Sequence, residues 1–388
     1  MKEIRYSTQN INDQDTKSVI DALKSDFVTQ GPLVSKFERA LSQKCKSKYA
    51  IVLSNASNGL TLACKLYDLK KNDIVWCSTI TFVSTISCAV HLNAKFDLVD
   101  IDMSDYNIDI DALHKKLEIA KKNKILPKII IITHLGGNPF NTKKLYQLKK
   151  KYRFKIIEDA SHALGSVVKN NPVGSCKYSD ATIFSFHAVK SITTGEGGAI
   201  TLNDKNKYIQ AKQLLSHGLI RDNKLFKRKY EGIWDYDIFQ LGYNFRLSDI
   251  NCSLGISQLN RLDSFINKRN NLARLYDDLF LQNEKIIIPK IKKNNKSSFH
   301  LYIIRIKNLT VVKKKKLFEL MKKKKINLNF HYIPINKFYI FKKKFKKNIF
   351  LNTEKYYQEA VSLPLHPKLD SKSIKYVANN LIKILERI

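Results

Sequence analysis

Seven apolar runs of four or five residues recur through the first 202 residues of the chain, and helix-like segments fill most of the intervals between them. The runs are 49–53, 74–77, 95–99, 128–132, 155–158, 182–186 and 198–202, and the helix-like stretches include 60–66, 110–122 and 142–152. Short, largely apolar strands alternating with helices are what a sheet covered by helices on both sides gives. The alternation predicts an α/β protein on a mostly parallel sheet with flanking helices. Ligands of such sheets bind outside the carboxyl ends of the strands, so the loops that follow the strands are where chemistry is expected. Residues 247–280 predict one long helical region, because Ile250, Leu254, Ile256, Leu259 and Leu262 recur near helical spacing. Past Pro289 the texture changes to a few strands and helices among many lysines. This places a smaller carboxyl-terminal α+β domain at 290–388, after a larger domain at 1–289.

The net charge of +35 ordinarily points to nucleic acid or an anionic surface. Here the excess is mostly lysine, concentrated at 313–316, 322–325 and 342–347. Those runs lack arginine and aromatic residues interleaved at the spacing of a binding module, and lysine on solvated faces gives the same count. No nucleic-acid partner is expected. No apolar run approaches the roughly 18 residues of a membrane span, and MKEIRYSTQN has no apolar segment of signal-peptide type. The expectation is a cytoplasmic protein without a membrane partner. The six cysteines form no C-x-x-C pair and several lie in apolar stretches, where a thiol acts as a small hydrophobe.

Chemistry concentrates in 157–200. Asp159 follows one apolar strand, while Ser185 and Lys190 lie at the end of another. If those strands are parallel neighbours, a carboxylate, a hydroxyl and an amine meet in one crevice. That set suits pyridoxal phosphate: the amine condenses with the aldehyde, the carboxylate keeps the pyridine nitrogen protonated, and the hydroxyl donates to the phosphate. Each residue alone also fits a plainer role, Asp159 as a helix cap and Lys190 as a solvated cation. Gly195-Glu196-Gly197-Gly198 directly afterwards makes the joint pattern specific. An earlier strand runs into Ser54-Asn55-Ala56-Ser57-Asn58-Gly59 and then an apolar helix, which is either an anion site at a helix amino terminus or an ordinary cap. Phe82 can stack on a planar ring or fill core. His162 and His187 flank the crevice, but no metal-ligand spacing, nucleotide phosphate loop or G-x-S-x-G elbow is present.

Taken together, these residues resemble the sugar aminotransferases of the DegT/DnrJ/EryC1/StrS family over essentially the whole chain. The resemblance rests on Thr29-Gln30-Gly31-Pro32, Glu158-Asp159-Ala160-Ser161-His162-Ala163-Leu164-Gly165, Ser185-Phe186-His187-Ala188-Val189-Lys190 with the glycine run, and Tyr243-Asn244-Phe245-Arg246. Ser216-His217-Gly218 with Arg221-Asp222, and His331-Tyr332-Ile333-Pro334 with Ser362-Leu363-Pro364, look most like the branch that aminates UDP-4-keto-6-deoxy-N-acetyl-L-altrosamine for pseudaminic acid biosynthesis. The resemblance implies a pyridoxal 5'-phosphate-dependent transferase of fold type I, with Lys190 as the Schiff-base lysine and Asp159 as the pyridinium partner. It puts His162 near the ring hydroxyl, Phe82 on the ring, and Ser57, Asn58 and Ser185 at the phosphate. Asn244 matches a residue that reaches the neighbouring subunit's cofactor, which implies a homodimer with shared active sites. Thr29, Arg221, His331 and Tyr332 fall near the substrate. The implied substrates are glutamate and a UDP-linked keto-sugar aminated at C4. Alternatives are a perosamine- or bacillosamine-type nucleotide-sugar, a related sugar dehydratase, or a basic nucleic-acid-binding protein. Asn58-Gly59 departs from the small Ser or Ala of the family, and Asn336-Lys337-Phe338-Tyr339 lacks a proline common in the branch.

Overall fold

The computed structural model describes residues 3–388. Seven strands form one sheet: β1 (Tyr49–Leu53), β2 (Ile74–Ser78), β3 (Lys95–Val99), β4 (Ile129–Thr133), β5 (Lys155–Asp159), β6 (Ala181–Ser185) and β7 (Gly198–Leu202). Their order across the sheet is β1-β7-β6-β5-β4-β2-β3. Neighbours from β6 through β5, β4 and β2 to β3 are parallel, whereas β7 runs antiparallel to both β6 and β1. The reversal has a local cause. No helix separates β6 from β7, so residues 186–197 return the chain directly beside its own strand.

Side-chain alternation divides the strands between two faces. Ile129 and Ile131 pack into one core with Ile51, Ile183 and the helices α3 (Ala56–Leu66), α4 (Ser84–His91) and α7 (Lys205–Leu215). Ile130 and Ile132 face the other way, against α5 (Ile110–Lys122) and α6 (Thr142–Tyr152). Farther along that second face, Val52 and Phe184 meet α2 (Pro32–Cys45) and α8 (Asp249–Asn260). All six cysteines are buried, Cys64 and Cys88 with sulfurs 3.7 Å apart.

The helical region expected at 247–280 is two helices, α8 and α9 (Leu262–Phe280), which meet at Arg261. The Arg261 guanidinium turns aside to buried Asp15 and to the Asn10 carbonyl. Apolar spacing continues across the joint, so the break leaves no trace in the pattern.

An antiparallel sheet of β8 (Ile286–Ile287), β9 (Tyr302–Ile306) and β10 (Ala360–Leu363) carries α10 (Val311–Lys323), α11 (Leu351–Glu359) and α12 (Ser371–Leu385). Its core gathers Ile4 and side chains of 272–280 with those of 286–385, so it draws on both sides of position 290. Ile4 bridges in parallel to Ile326, which brings the beginning of the chain to this sheet. The lysine run at 313–316 is mostly exposed, but Lys314 turns inward, with Nζ 3.7 Å from the Phe330 ring centre and 2.8 Å from the Tyr357 carbonyl. Among the described residues no helix is long and apolar enough to cross a membrane.

Candidate active site

Successive residues of a strand face opposite sides, and at the end of β5 this separates two acids. Glu158 meets His134 at 2.9 Å on one face, while Asp159 faces a cavity of about 500 Å³ on the other. Hydroxyls hold the Asp159 carboxylate. Thr85 on α4 donates to Oδ2 at 2.8 Å, and Ser161 donates to Oδ1 at 2.6 Å. Thr81 joins Thr85 to Thr133 through 2.7 Å contacts, so the donor behind the carboxylate is itself braced.

Lys190 enters the same cavity from the connection between β6 and β7. That loop is tied across its base by the Phe186 N–H to the Gly197 carbonyl and the Thr194 N–H to the Phe186 carbonyl. Lys190 is half-buried, and the surface left to it opens on the cavity. Burial pulls its amine down to about 8, against the opposing attraction of Asp159.

The start of α3 forms another wall. Asn55 caps the helix by accepting the Asn58 N–H at 2.9 Å, and Ala56 and Ser57 in its first turn line the cavity. First-turn amides have no acceptor within their own helix, so this corner favours an anion. Gly198 at the start of β7 lets the strand close on that turn, since a Cβ there would sit 2.7 Å from the Ala56 nitrogen.

Eight of the twelve residues to which the resemblance gives a role therefore share one cavity: Ser57, Phe82, Asp159, His162, Ser185, Lys190, His331 and Tyr332; His187 lines it as well. Phe82 is 52% exposed and lines the cavity. His162 Nδ1 is 3.2 Å from the Gly136 nitrogen, and its Nε2 is 2.9 Å from Tyr332 Oη. His331 contacts Ser362 Oγ at 2.9 Å, and burial, with Lys190 adding to it, lowers its imidazole to about 3.

The other four lie outside the lining. The Asn58 side chain turns back to Ser54 Oγ, 2.9 Å away. Thr29 is exposed and bridges to Ser248. Asn244 and Arg221 are exposed as well, with the Asn244 backbone bridged to Ser216. Among the described residues no cluster of His, Cys, Asp and Glu could hold a metal.

The sequence reading missed Tyr6, His300, Asn329 and Phe330, which also line the cavity. Tyr6 stands 5.6 Å from the His331 ring, held where its carbonyl accepts the Leu365 N–H. The His300 ring is 4.5 Å from that of His162, and its Nδ1 is buried without a partner. Each comes from a segment remote from 157–200, and none has a local pattern of its own.

The mostly parallel sheet with flanking helices has the architecture of the sugar aminotransferases of known structure, a transferase fold of type I. The chain belongs to the DegT/DnrJ/EryC1/StrS aminotransferase family, which it matches over residues 9–382. It is 39% identical to the UDP-4-amino-4,6-dideoxy-N-acetyl-beta-L-altrosamine transaminase of Campylobacter jejuni subsp. jejuni serotype O:23/36 (strain 81-176), over 99% of this chain and 98% of that one. The solved structure of Helicobacter pylori PseC, an aminotransferase involved in the biosynthesis of pseudoaminic acid, matches with a TM-score of 0.90 at 30% identity over 100% of both chains. Spr1654 of Streptococcus pneumoniae, in its apo-form, matches with a TM-score of 0.90 at 28% identity, over 99% of this chain and 98% of that one. Spr1654 has also been solved in PLP- and PMP-forms.

Proposed function

We propose that this chain is a pyridoxal 5'-phosphate-dependent aminotransferase that moves an amino group from glutamate to C4 of a UDP-linked 4-keto-6-deoxy-N-acetylhexose, in a pathway of the pseudaminic acid type. The observation that carries the reading is the meeting of Lys190 and Asp159 in one cavity beside an anion-binding helix start. The substrate follows the relatives at 39% and 30% identity, whose names specify an altrosamine transaminase and pseudoaminic acid biosynthesis.

The donor set suits a phosphorylated pyridine aldehyde. Ser185 and the first turn of α3 fit its phosphate, Asp159 its ring nitrogen, Lys190 its aldehyde and Phe82 its ring. The unpartnered Nδ1 of His300 leaves one buried polar atom for a bound group. When bound, the cofactor supplies an electron sink next to the carbon that exchanges its amine.

The chain's own residues do the rest. With a proton affinity near 8, Lys190 has an appreciable neutral fraction at physiological pH. It serves as nucleophile and, once released, as the base and acid that carries a proton at Nζ. Asp159 holds a proton on the ring nitrogen, with Thr85 and Ser161 fixing its oxygens. His331 and Tyr332, on the far wall, orient the sugar.

The proposal includes a homodimer that shares its sites. Ile233, Trp234 and Leu241 are 94%, 71% and 77% exposed on the arm between Arg221 and Asn244. Apolar side chains so open to water suit a face covered by a second copy. A product assay with 15N-glutamate and a set of nucleotide-4-keto-sugars tests the reaction. Label at C4 of the UDP-N-acetyl sugar is the expected product, and label only on a GDP- or dTDP-sugar contradicts the assignment.

A further inference from the structure

A second cavity lies on the back of the sheet, and none of its residues takes part in the reaction proposed above. It measures about 250 Å³ and sits at the carboxyl ends of β4 and β5, where sheets of this kind bind ligands. It opens on the face that Glu158 occupies, opposite Asp159. Sites for drug-sized molecules run to ~300–1,000 Å³, so this one suits a small molecule rather than a nucleotide-sugar.

The floor is Glu158 with His134, 5% and 1% exposed. The Phe140 N–H donates to His134 Nδ1 at 2.9 Å, and His134 Nε2 meets Glu158 Oε2 at 2.9 Å. A ring whose Nδ1 accepts carries a proton on Nε2, so His134 donates to Glu158 and satisfies one of its oxygens. Oε1 has no hydrogen-bond partner among the described residues, on a side chain that lines the cavity. A carboxylate so far out of water favours a charged donor, and an ammonium answers both its charge and its spare acceptor.

The rim is cationic. Lys143 stands in the first turn of α6, Lys169 at the tip of the hairpin 167–172 and Lys177 just beyond it, all three exposed. Asp180, the acid nearest Lys177 in the chain, is engaged by Lys149 at 2.6 Å and Lys155 at 3.5 Å. The hairpin tip is built in place. Lys169 is held at φ 45°, its N–H donates to the Asn294 carbonyl at 3.1 Å, and its carbonyl accepts the Asn171 amide at 3.1 Å. The start of α6 adds the positive end of a helix. Phe140, Val168 and Val173 give the cavity an apolar wall for methylene groups.

We infer that this cavity binds an acidic amino acid, its ammonium on Glu158 and its carboxylates among Lys143, Lys169 and Lys177. Three cations are more than a single carboxylate needs, which favours a dicarboxylate over a neutral amino acid. Glu158 and Asp159 are consecutive in β5, so a ligand held here draws on the strand end that carries the catalytic carboxylate.

The test uses the full-length protein reconstituted with pyridoxal phosphate and treated with borohydride, which ends imine exchange with an added amine. L-Glutamate and 2-oxoglutarate are titrated into it calorimetrically at low salt. L-Glutamate is expected to bind saturably at one equivalent. 2-Oxoglutarate, which keeps both carboxylates and lacks the ammonium, is expected to bind about tenfold more weakly, the scale of one hydrogen bond between charged groups. Glu158→Gln still accepts from His134 through its amide oxygen, and it is expected to cost L-glutamate about tenfold and 2-oxoglutarate little. Lys143→Ala combined with Lys169→Asn leaves the core alone and suits both backbone conformations. It is expected to weaken both acids about fivefold. Absence of saturable binding overturns the inference, and so does equal affinity for the two acids. Binding of L-glutamate that none of these variants changes would put the amino acid in the catalytic cavity and overturn it as well. Failure of the proposed reaction shows separately, because borohydride would then fix no cofactor while the titration at this cavity would run the same way.

Discussion

At Lys190 burial lowers the amine's proton affinity while the Asp159 carboxylate raises it, and burial prevails at about 8. The neutral amine is the reactive form, so capture of pyridoxal phosphate by the cofactor-free chain should accelerate as pH rises, with a midpoint near 8 rather than near the ordinary 10.4. Asp159→Asn removes the attraction that favours the ammonium form, so its midpoint should lie lower still. Stopped-flow absorbance across pH 6 to 10 reads both. A midpoint that stays put in the variant would show that the carboxylate does not act on the amine. That these two residues meet in one cavity was legible in the sequence because Asp159 ends one apolar strand and Lys190 follows shortly after another, with a glycine run after it. Tyr6 and His300 were not, because nothing near them in the chain marks them. They reach the cavity through the parallel bridge at Ile4 and the packing around β9.

At the scale of elements, the anion corner depends on β7 passing close to the first turn of α3. A methyl at position 198 would stand 2.7 Å from the Ala56 nitrogen and 2.8 Å from the Asn55 carbonyl carbon, with backbone on both counts and nothing flexible to move aside. Gly198→Ala should destabilise the chain by about 1–3 kcal/mol, the usual range for overpacking. It should also weaken pyridoxal phosphate more than it weakens pyridoxal, because the displaced turn faces the phosphate. Urea denaturation and paired binding titrations check the two effects, and equal loss for both ligands would place the anion corner elsewhere. The alternation of apolar runs with helical stretches was enough to anticipate the layered sheet. The direction of β7 was not visible, since an apolar five-residue run looks the same either way round. The joint at Arg261 was hidden for a similar reason: helical spacing resumes at once on its far side.

At the scale of the whole molecule, Asn244 and Arg221 stand outside their own chain's cavity, on a segment with an exposed apolar arm. A second copy that covers the arm would bring those residues to the partner's site. Mixing Lys190→Ala chains with Asn244→Ala chains should then restore part of the activity, because one site of each mixed dimer is intact. No recovery after verified subunit exchange would place Asn244 in its own chain's site. The resemblance assigns Asn244 to the neighbouring subunit's cofactor, a place that residue patterns within one chain could not have supplied. The account turns most directly on which lysine holds the cofactor, and the molecule supplies a competitor. Burial lowers Lys314 to about 7, yet its Nζ is occupied by the Phe330 ring and the Tyr357 carbonyl. Borohydride reduction of the protein reconstituted with pyridoxal phosphate, followed by peptide mapping, decides between them. The account predicts one stoichiometric pyridoxyl group on the peptide containing Lys190, absent from Lys190→Ala, whereas stoichiometric label on Lys314 or any other lysine would contradict it.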